Sequence, residues 1–122
     1  MAERTAAGGL DLQALRRAAE GKDAETMLDL YAEDAEYVRV DRNHTTSSPM
    51  TLRGKEAIAE YYRDVFARDM THRIEREVVG EDRAAFNWEC EYSDGVKVLA
   101  ATTLELRDSK ILRQVNVEAW DE

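Results

Sequence analysis

A chain of 122 residues is the length of one domain, and with 43% hydrophobic residues it has the means to bury roughly two thirds of its extended surface and is no disordered polymer. Its 26 acidic residues against 17 basic ones leave a net charge of -9, which repels phosphate backbones and anionic lipid and argues against nucleic acid or a membrane as partner. One cysteine cannot close an internal disulfide, and the longest apolar run, Val98-Leu99-Ala100-Ala101, is too short for a membrane span, so the expectation is a single cytoplasmic domain over residues 1–122.

The first nine residues, ending in Ala6-Ala7-Gly8-Gly9, are expected to fray. Leu10 to Glu20 has helical spacing, with Leu12, Leu15 and Ala19 on one face, and Gly21 ends it. Asp23 is a fitting N-cap for a second helix, and Glu25 adds an acid to its first turn. Ala24, Met27, Leu28 and Tyr31 recur at i, i+3, i+4 and i+7, which predicts that this helix reaches Tyr31 and forms a hairpin with the first. From Ala35 to Asp41 the period becomes two, a strand with apolar and polar members on both faces. A polar loop, Arg42 to Pro49, leads to a short extended piece, Met50 to Arg53. Gly54 then opens a third helix, whose stripe is Ile58, Tyr61, Tyr62, Val65 and Phe66, while Lys55, Glu60, Arg63 and Asp64 face away. After Asp69 four strands follow, Thr71–Gly80, Arg83–Tyr92, Val96–Arg107 and Ile111–Trp120, joined by turns short enough for hairpins. Helices on one face of an antiparallel sheet give an α+β sandwich.

Alternation sorts the strand residues by face. Phe86, Trp88, Cys90 and Tyr92 form the aromatic set that must face the helices. Val98, Ala100, Thr102, Leu104 and Leu106 share a face in the next strand, opposed by Lys97, Leu99, Ala101, Thr103 and Glu105. In the first strand of the meander His72, Ile74, Arg76 and Val78 alternate with Arg73, Glu75, Glu77 and Val79. The last strand divides into Ile111, Arg113, Val115 and Val117 against Leu112, Gln114, Asn116, Glu118 and Trp120. Hydrophobicity alone would turn its valines toward the helices.

Element order and three local patterns give the chain a family likeness. The patterns are Leu30-Tyr31-Ala32-Glu33-Asp34-Ala35 at the passage into the first strand, Leu52-Arg53-Gly54-Lys55-Glu56-Ala57-Ile58 at the opening of the third helix, and Leu104-Glu105-Leu106-Arg107-Asp108-Ser109-Lys110-Ile111 at the last hairpin, followed by Trp120-Asp121. From about Leu12 to Glu122 the chain resembles the nuclear-transport-factor-2-like superfamily, in its SnoaL-like (polyketide-cyclase-like) branch. The resemblance implies a cystatin-like cone, with three N-terminal helices packed on a curved antiparallel sheet around a conical cavity. It implies that Ala35, Tyr37, Arg39 and Asp41 face that cavity, and that the last strand shows it Gln114, Asn116 and Glu118. The valines then lie on the outer face, where relatives form dimers.

Three departures set the chain apart from steroid-isomerase relatives. Arg39 stands where those carry a carboxylate base, Leu104 where they place a protonated acid, and the first helix lacks an oxyanion tyrosine. Dehydratase-like and cyclase-like relatives instead use a histidine near the start of the meander and an aspartate across the cavity, roles that His72 and Asp41 would fill. A carboxylate orienting an imidazole makes a base that titrates near working pH, and the pairing would raise the His72 pKa. Arg39 either stabilises negative charge on a substrate or pairs with Asp41 or Glu118. The wall of the cavity is expected to comprise Tyr37, Tyr62, Phe66, Trp88, Tyr92, Thr102, Gln114, Asn116 and Glu118. Cys90, between two glutamates, reads as a small core residue, and His44 as an exposed loop histidine. No metal or cofactor motif is present in the sequence. The expected function is a small-molecule pocket, either a cofactor-free acid–base enzyme of the cyclase, isomerase or dehydratase kind on an apolar carbonyl or hydroxylated substrate, or a non-catalytic binding or assembly module. A homodimer through Leu99, Ala101, Thr103, Val115 and Val117 is expected in either case.

Overall fold

The computed structural model describes residues 10–121, so the expected fraying of the first nine lies outside the described residues. In chain order the elements are α1 (Leu12–Glu20), α2 (Ala24–Leu28), β1 (Tyr31–Val40), β2 (Met50–Arg53), α3 (Lys55–Phe66), β3 (Met70–Val79), β4 (Arg83–Tyr92), β5 (Lys97–Arg107) and β6 (Lys110–Trp120). One six-stranded sheet runs in the order β2-β1-β6-β5-β4-β3. The meander is antiparallel as expected, but β1 lies parallel to β6, so the sheet is mixed.

Local chemistry sets most of the boundaries. Asp11 and Asp23 cap α1 and α2 by accepting from Ala14 N and Thr26 N. Gly54 precedes α3 with φ +89°, a left-handed conformation that a side chain resists, and its N–H is fixed on Ala35 O at 2.8 Å. The second helix is shorter than its periodicity predicts. It stops at Leu28, and Tyr31 is the first residue of β1, paired with Ile111. Tyr31 is buried because its ring enters the core from a strand, so the i+7 match is fortuitous.

Two bulges explain where simple alternation fails. In β3 the pairing passes from Glu75↔Asn87 to Val78↔Ala85, with Arg76 at φ +60° between them. The inner set therefore ends at Ile74: Arg76 is exposed, Glu77 meets Arg16 of α1, and Val78 is 70% exposed. In β6 the register slips between Arg113, opposite Glu105, and Ile111, opposite Leu106. Ile111 and Gln114 are thus both buried although they belong to opposite alternating sets, and beyond the slip Asn116 faces in while Val117 is 51% exposed. The resemblance had the last strand the right way round, and hydrophobicity alone did not.

The core fills the space between helices and sheet: Leu15, Ala19, Met27, Ile58, Tyr62 and Phe66 pack with Ile74, Phe86, Trp88, Leu104 and Ile111. The free edge of β3 is covered by α1, where Arg16 donates to Ile74 O at 3.2 Å and Glu20 accepts from Ile74 N at 3.3 Å. Among the described residues no helix is long and apolar enough to cross a membrane.

Candidate functional site

Strand register builds the site. Parallel pairing sets Tyr37 beside Gln114 and Arg39 beside Asn116, and antiparallel pairing sets Asn116 beside Thr102. One step toward the open end, Glu118 lies opposite Ala100, which lies opposite Trp88, which lies opposite Ile74. Small Ala100 between a carboxylate and an indole leaves space above the sheet. Helix α3 roofs that space with Tyr61, Tyr62 and Val65.

The space divides into two communicating parts. The deep part, about 40 Å³, is walled by Tyr37, Tyr61, Tyr62, Val65, His72, Trp88, Cys90, Ala100, Asn116 and Glu118, among others. The mouth, about 230 Å³, adds Arg39, Asp41, His44, Arg68, Tyr92 and Trp120, and shares Tyr61, Val65, Cys90, Val98 and Glu118 with the deep part. A drug-sized ligand site has roughly 300–1,000 Å³. A compound of one or two rings fits the mouth, and only a small part of it fits below.

The structure does not bring His72 and Asp41 together. Trp88 Nε1 donates to His72 Nδ1 at 3.1 Å and Cys90 Sγ lies 3.4 Å from the same atom. Nδ1 is therefore the accepting nitrogen, the ring proton sits on Nε2, and Nε2 is buried with no hydrogen-bond partner among the described residues. Burial, helped by the charge of Lys22, pushes the His72 pKa down to about 4. The expected upward shift needed a carboxylate partner; with an indole there instead, burial sets the sign.

Asp41 instead closes the tip beyond β1. It shares two backbone hydrogen bonds with His44, accepts from Asn43 N at 2.9 Å, and has His44 Nδ1 at 2.9 Å. Its other oxygen lies 2.9 Å from Arg39 Nε but off the line of that N–H, so this contact is an ion pair without a hydrogen bond. Burial raises the Asp41 pKa, yet the donors of Asn43 and His44 and the charge of Arg39 outweigh it, and the net shift is downward. His44 is accordingly not a free loop histidine.

Arg39 donates from Nη1 to Tyr61 OH at 3.1 Å, and its guanidinium lies 5.5 Å from the centre of the Tyr61 ring. Glu118 borders both parts of the cavity and accepts from Trp120 Nε1 at 3.2 Å. Among the described residues it forms no ion pair. Burial raises its pKa, and neither Arg39 nor the Trp120 hydrogen bond offsets that.

Of the expected wall, Tyr37, Tyr62, Trp88 and Asn116 line the deep part with Glu118, and Tyr92 stands at the mouth, stacked on Trp120 at 5.9 Å. Thr102 and Gln114 are buried behind the wall, bonded to Asn116, and Phe66 packs behind His72 at 5.2 Å. The expected wall omitted Tyr61, Val65 and Arg68. Tyr61 and Val65, at i and i+4, share a face of α3, Arg68 continues that spacing past its end, and all three reach the mouth. Cys90 is a half-buried wall residue whose thiol burial pushes up to about 12. Among the described residues no three His, Cys, Asp or Glu side chains converge as a metal site would need.

No protein of curated function matches the chain in sequence. Among solved structures, an NTF2-like protein of unknown function from Mesorhizobium loti superposes with a TM-score of 0.77 at 16% identity, over 88% of this chain and 87% of that one. A protein from Kribbella flavida, provisionally described as a ketosteroid isomerase, gives 0.72 at 18% identity over 91% and 75%. A Sinorhizobium meliloti protein, provisionally described as a polyketide cyclase, gives 0.66 at 18% identity over 86% and 91%. Such identities establish the fold alone. Residues 12–114 match the SnoaL-like domain, and with that span the chain belongs to the SnoaL-like family, on an NTF2-like fold.

Proposed function

We propose that this protein binds a small apolar carbonyl or hydroxylated compound and moves a proton on it by acid–base chemistry, with Glu118 as the proton-carrying group. The observation that carries this reading is the state of Glu118: a half-buried carboxyl, free of ion pairs among the described residues, bordering both parts of an aromatic cavity, its pKa raised by burial. A carboxyl in that state is a stronger base than a solvated one and is easily recharged as an acid. As carboxylate it would take a proton from the carbon next to a carbonyl, leaving the electron pair delocalised onto oxygen. The protonated acid would return that proton to the same carbon or to a conjugated one. Asp41 is a poorer candidate, since its oxygens are already engaged. His72 stays neutral and supports Trp88.

Deuterium uptake at C1 of 2-tetralone in D₂O, followed by mass spectrometry, tests this. Catalysed uptake by the wild type that disappears in Glu118→Gln is the expected result. Saturable binding without any catalysed exchange would favour instead the non-catalytic module, for which the closed Arg39–Asp41–His44 corner is the supporting feature.

The outer sheet face is proposed to pack on a second copy. Leu99 and Val117, 47% and 51% exposed, lie on neighbouring strands with Ala101, which pairs with Val117, and Thr103, which pairs with Val115.

A further inference from the structure

A run of hydrogen-bonded side chains threads the core from α3 to the cavity. Tyr62 OH lies 2.6 Å from Tyr31 OH, and the Tyr31 hydroxyl donates to Gln114 Oε1. Gln114 Nε2 donates to Asn116 Oδ1 at 3.0 Å, and Asn116 Nδ2 donates to Tyr37 OH at 3.2 Å. Tyr37 donates to Tyr61 OH at 3.0 Å, where Arg39 Nη1 also arrives at 3.1 Å. Thr102 Oγ1 gives a second proton to Asn116 Oδ1, also at 3.0 Å.

The orientation of the Gln114 and Asn116 amides sets the direction of every proton in this run. Asn116 Oδ1 accepts from Thr102 and Gln114, and its amide nitrogen faces Tyr37. The Tyr37 oxygen takes that N–H, and its own proton goes on to Tyr61. At the other end the Gln114 carbonyl can only accept, which commits the single proton of Tyr31 to it. The contact between Tyr31 and Tyr62, in which either hydroxyl has the geometry to donate, is thereby resolved with Tyr62 as donor. The run ends at Tyr61. Its oxygen accepts twice, its own proton meets no acceptor among the described residues, and its ring borders both parts of the cavity.

We infer that the Tyr61 hydroxyl is the donor that receives the substrate's carbonyl oxygen, and that Gln114 and Asn116 are positioning residues that hold the run in one direction so that this proton is offered to the cavity. The inference rests on the reading of the cavity as a carbonyl site and names the group that holds the oxygen. Each donor in such a run polarises the next, and the guanidinium at its end adds a full positive charge beside the Tyr61 oxygen. A donor fixed before the ligand arrives suits an oxygen on which negative charge develops. Tyr61 therefore touches substrate, whereas Gln114 acts on it only through Asn116 and Tyr37. Without Gln114 the Asn116 amide is free to turn over, Tyr37 to donate to Asn116, and Tyr61 to turn its proton back to Tyr37.

The carbonyl stretch of bound, carbon-13-labelled 2-tetralone reads this directly, because it reports the donor's strength and not the protein's stability. The expected result is a band shifted to lower frequency than in alkane solvent for the wild type, with the shift lost in Tyr61→Phe. Gln114→Leu should weaken it or split the band in two, and Tyr62→Phe, which removes only the first donor and keeps the ring, should move it by a smaller step in the same direction. Persistence of the shift in Tyr61→Phe overturns the donor assignment. Bands for Gln114→Leu and Tyr62→Phe that coincide with the wild type overturn the positioning role, and should the first variant not fold, the second decides alone. Glu118→Gln should retain the shifted band while losing exchange. A Tyr61-dependent band without exchange would thus refute the role of Glu118 alone, exchange without that band would refute this inference alone, and no bound band at millimolar ketone would refute both.

Discussion

Asp41 and Glu118 are two carboxylates at one mouth, both near the same guanidinium, and their pKa values move in opposite directions. Burial penalises the charge of each. Asp41 recovers more than that penalty, because a backbone N–H, a histidine and an arginine reach it at the tip beyond β1. Among the described residues Glu118 has the N–H of Trp120 and the more distant charge of Arg39, and burial prevails. Having a carboxylate in the cavity decides little; what decides is how many donors reach it. That is why the half-satisfied acid is the one proposed as proton carrier.

The largest expected effect breaks this comparison on one side. Glu118→Gln keeps size and hydrogen bonding but removes the proton carrier, and should lower the catalysed exchange of 2-tetralone by about 10²–10⁴-fold. The wild-type rate should rise with pH as the Glu118 carboxylate forms, along a limb displaced upward from that of an ordinary glutamate. A Glu118→Gln protein within a few-fold of the wild type would end the assignment.

The balance between carboxylates was beyond the reach of the sequence, although most of the scaffold was not. Helix faces, the α3 stripe and the strict alternation of β5 follow from periodicity because each of those elements buries one side against one neighbour. The tail of β3 and the start of β6 were misread because one extra residue in a strand reverses every face beyond it, and Arg76 and Leu112 carry no mark of a bulge in their side chains. The His72–Asp41 pairing failed for a related reason. Which partner a buried imidazole finds depends on the register of β4, where Cys90 sits directly opposite His72 and Trp88 one inward step away. Tyr31 shows the converse error, a helical period completed by a strand residue.

His72 extends the comparison to a base. It is 6% exposed and its pKa lies at about 4, against 6.5 for the free side chain. Between those values the unfolded chain binds a proton that the native state refuses. Stability should therefore be intact above pH 6.5, fall as pH drops toward about 4, and lose nothing more from this group below that. The loss is on the order of 3 kcal/mol. Denaturant melts of wild type and His72→Gln at a series of pH values isolate it as a difference. Equal pH dependence in the two proteins would show that His72 is not held neutral.

The other face of the strand that carries Glu118 supplies a weaker effect. Val117 points away from the cavity and is 51% exposed, so Val117→Lys should leave the proposed ketone site unchanged while raising the dissociation constant of the proposed dimer at least about tenfold, a 1.4 kcal/mol change. Sedimentation of both proteins across micromolar concentrations measures this. A monomeric wild type would remove the outer face as an interface, and loss of ketone binding in the variant would mean that β6 presents the wrong face.

The smallest expected effect returns to Asp41. In Asp41→Asn the tip loses a charge but retains an acceptor for the Asn43 N–H, so its turn should survive. The removed charge is one that disfavours ionisation of Glu118, and Arg39, no longer paired with Asp41, keeps its full attraction for the remaining carboxylate. Both changes favour the charged form of Glu118. The acidic limb of the exchange profile should therefore move to lower pH, with the plateau rate within about threefold of the wild type, a change of less than 1 kcal/mol in barrier. A limb that stays in place would show that the two carboxylates do not sense each other through Arg39. A plateau that falls as far as in Glu118→Gln would make Asp41 the proton carrier and invert the comparison.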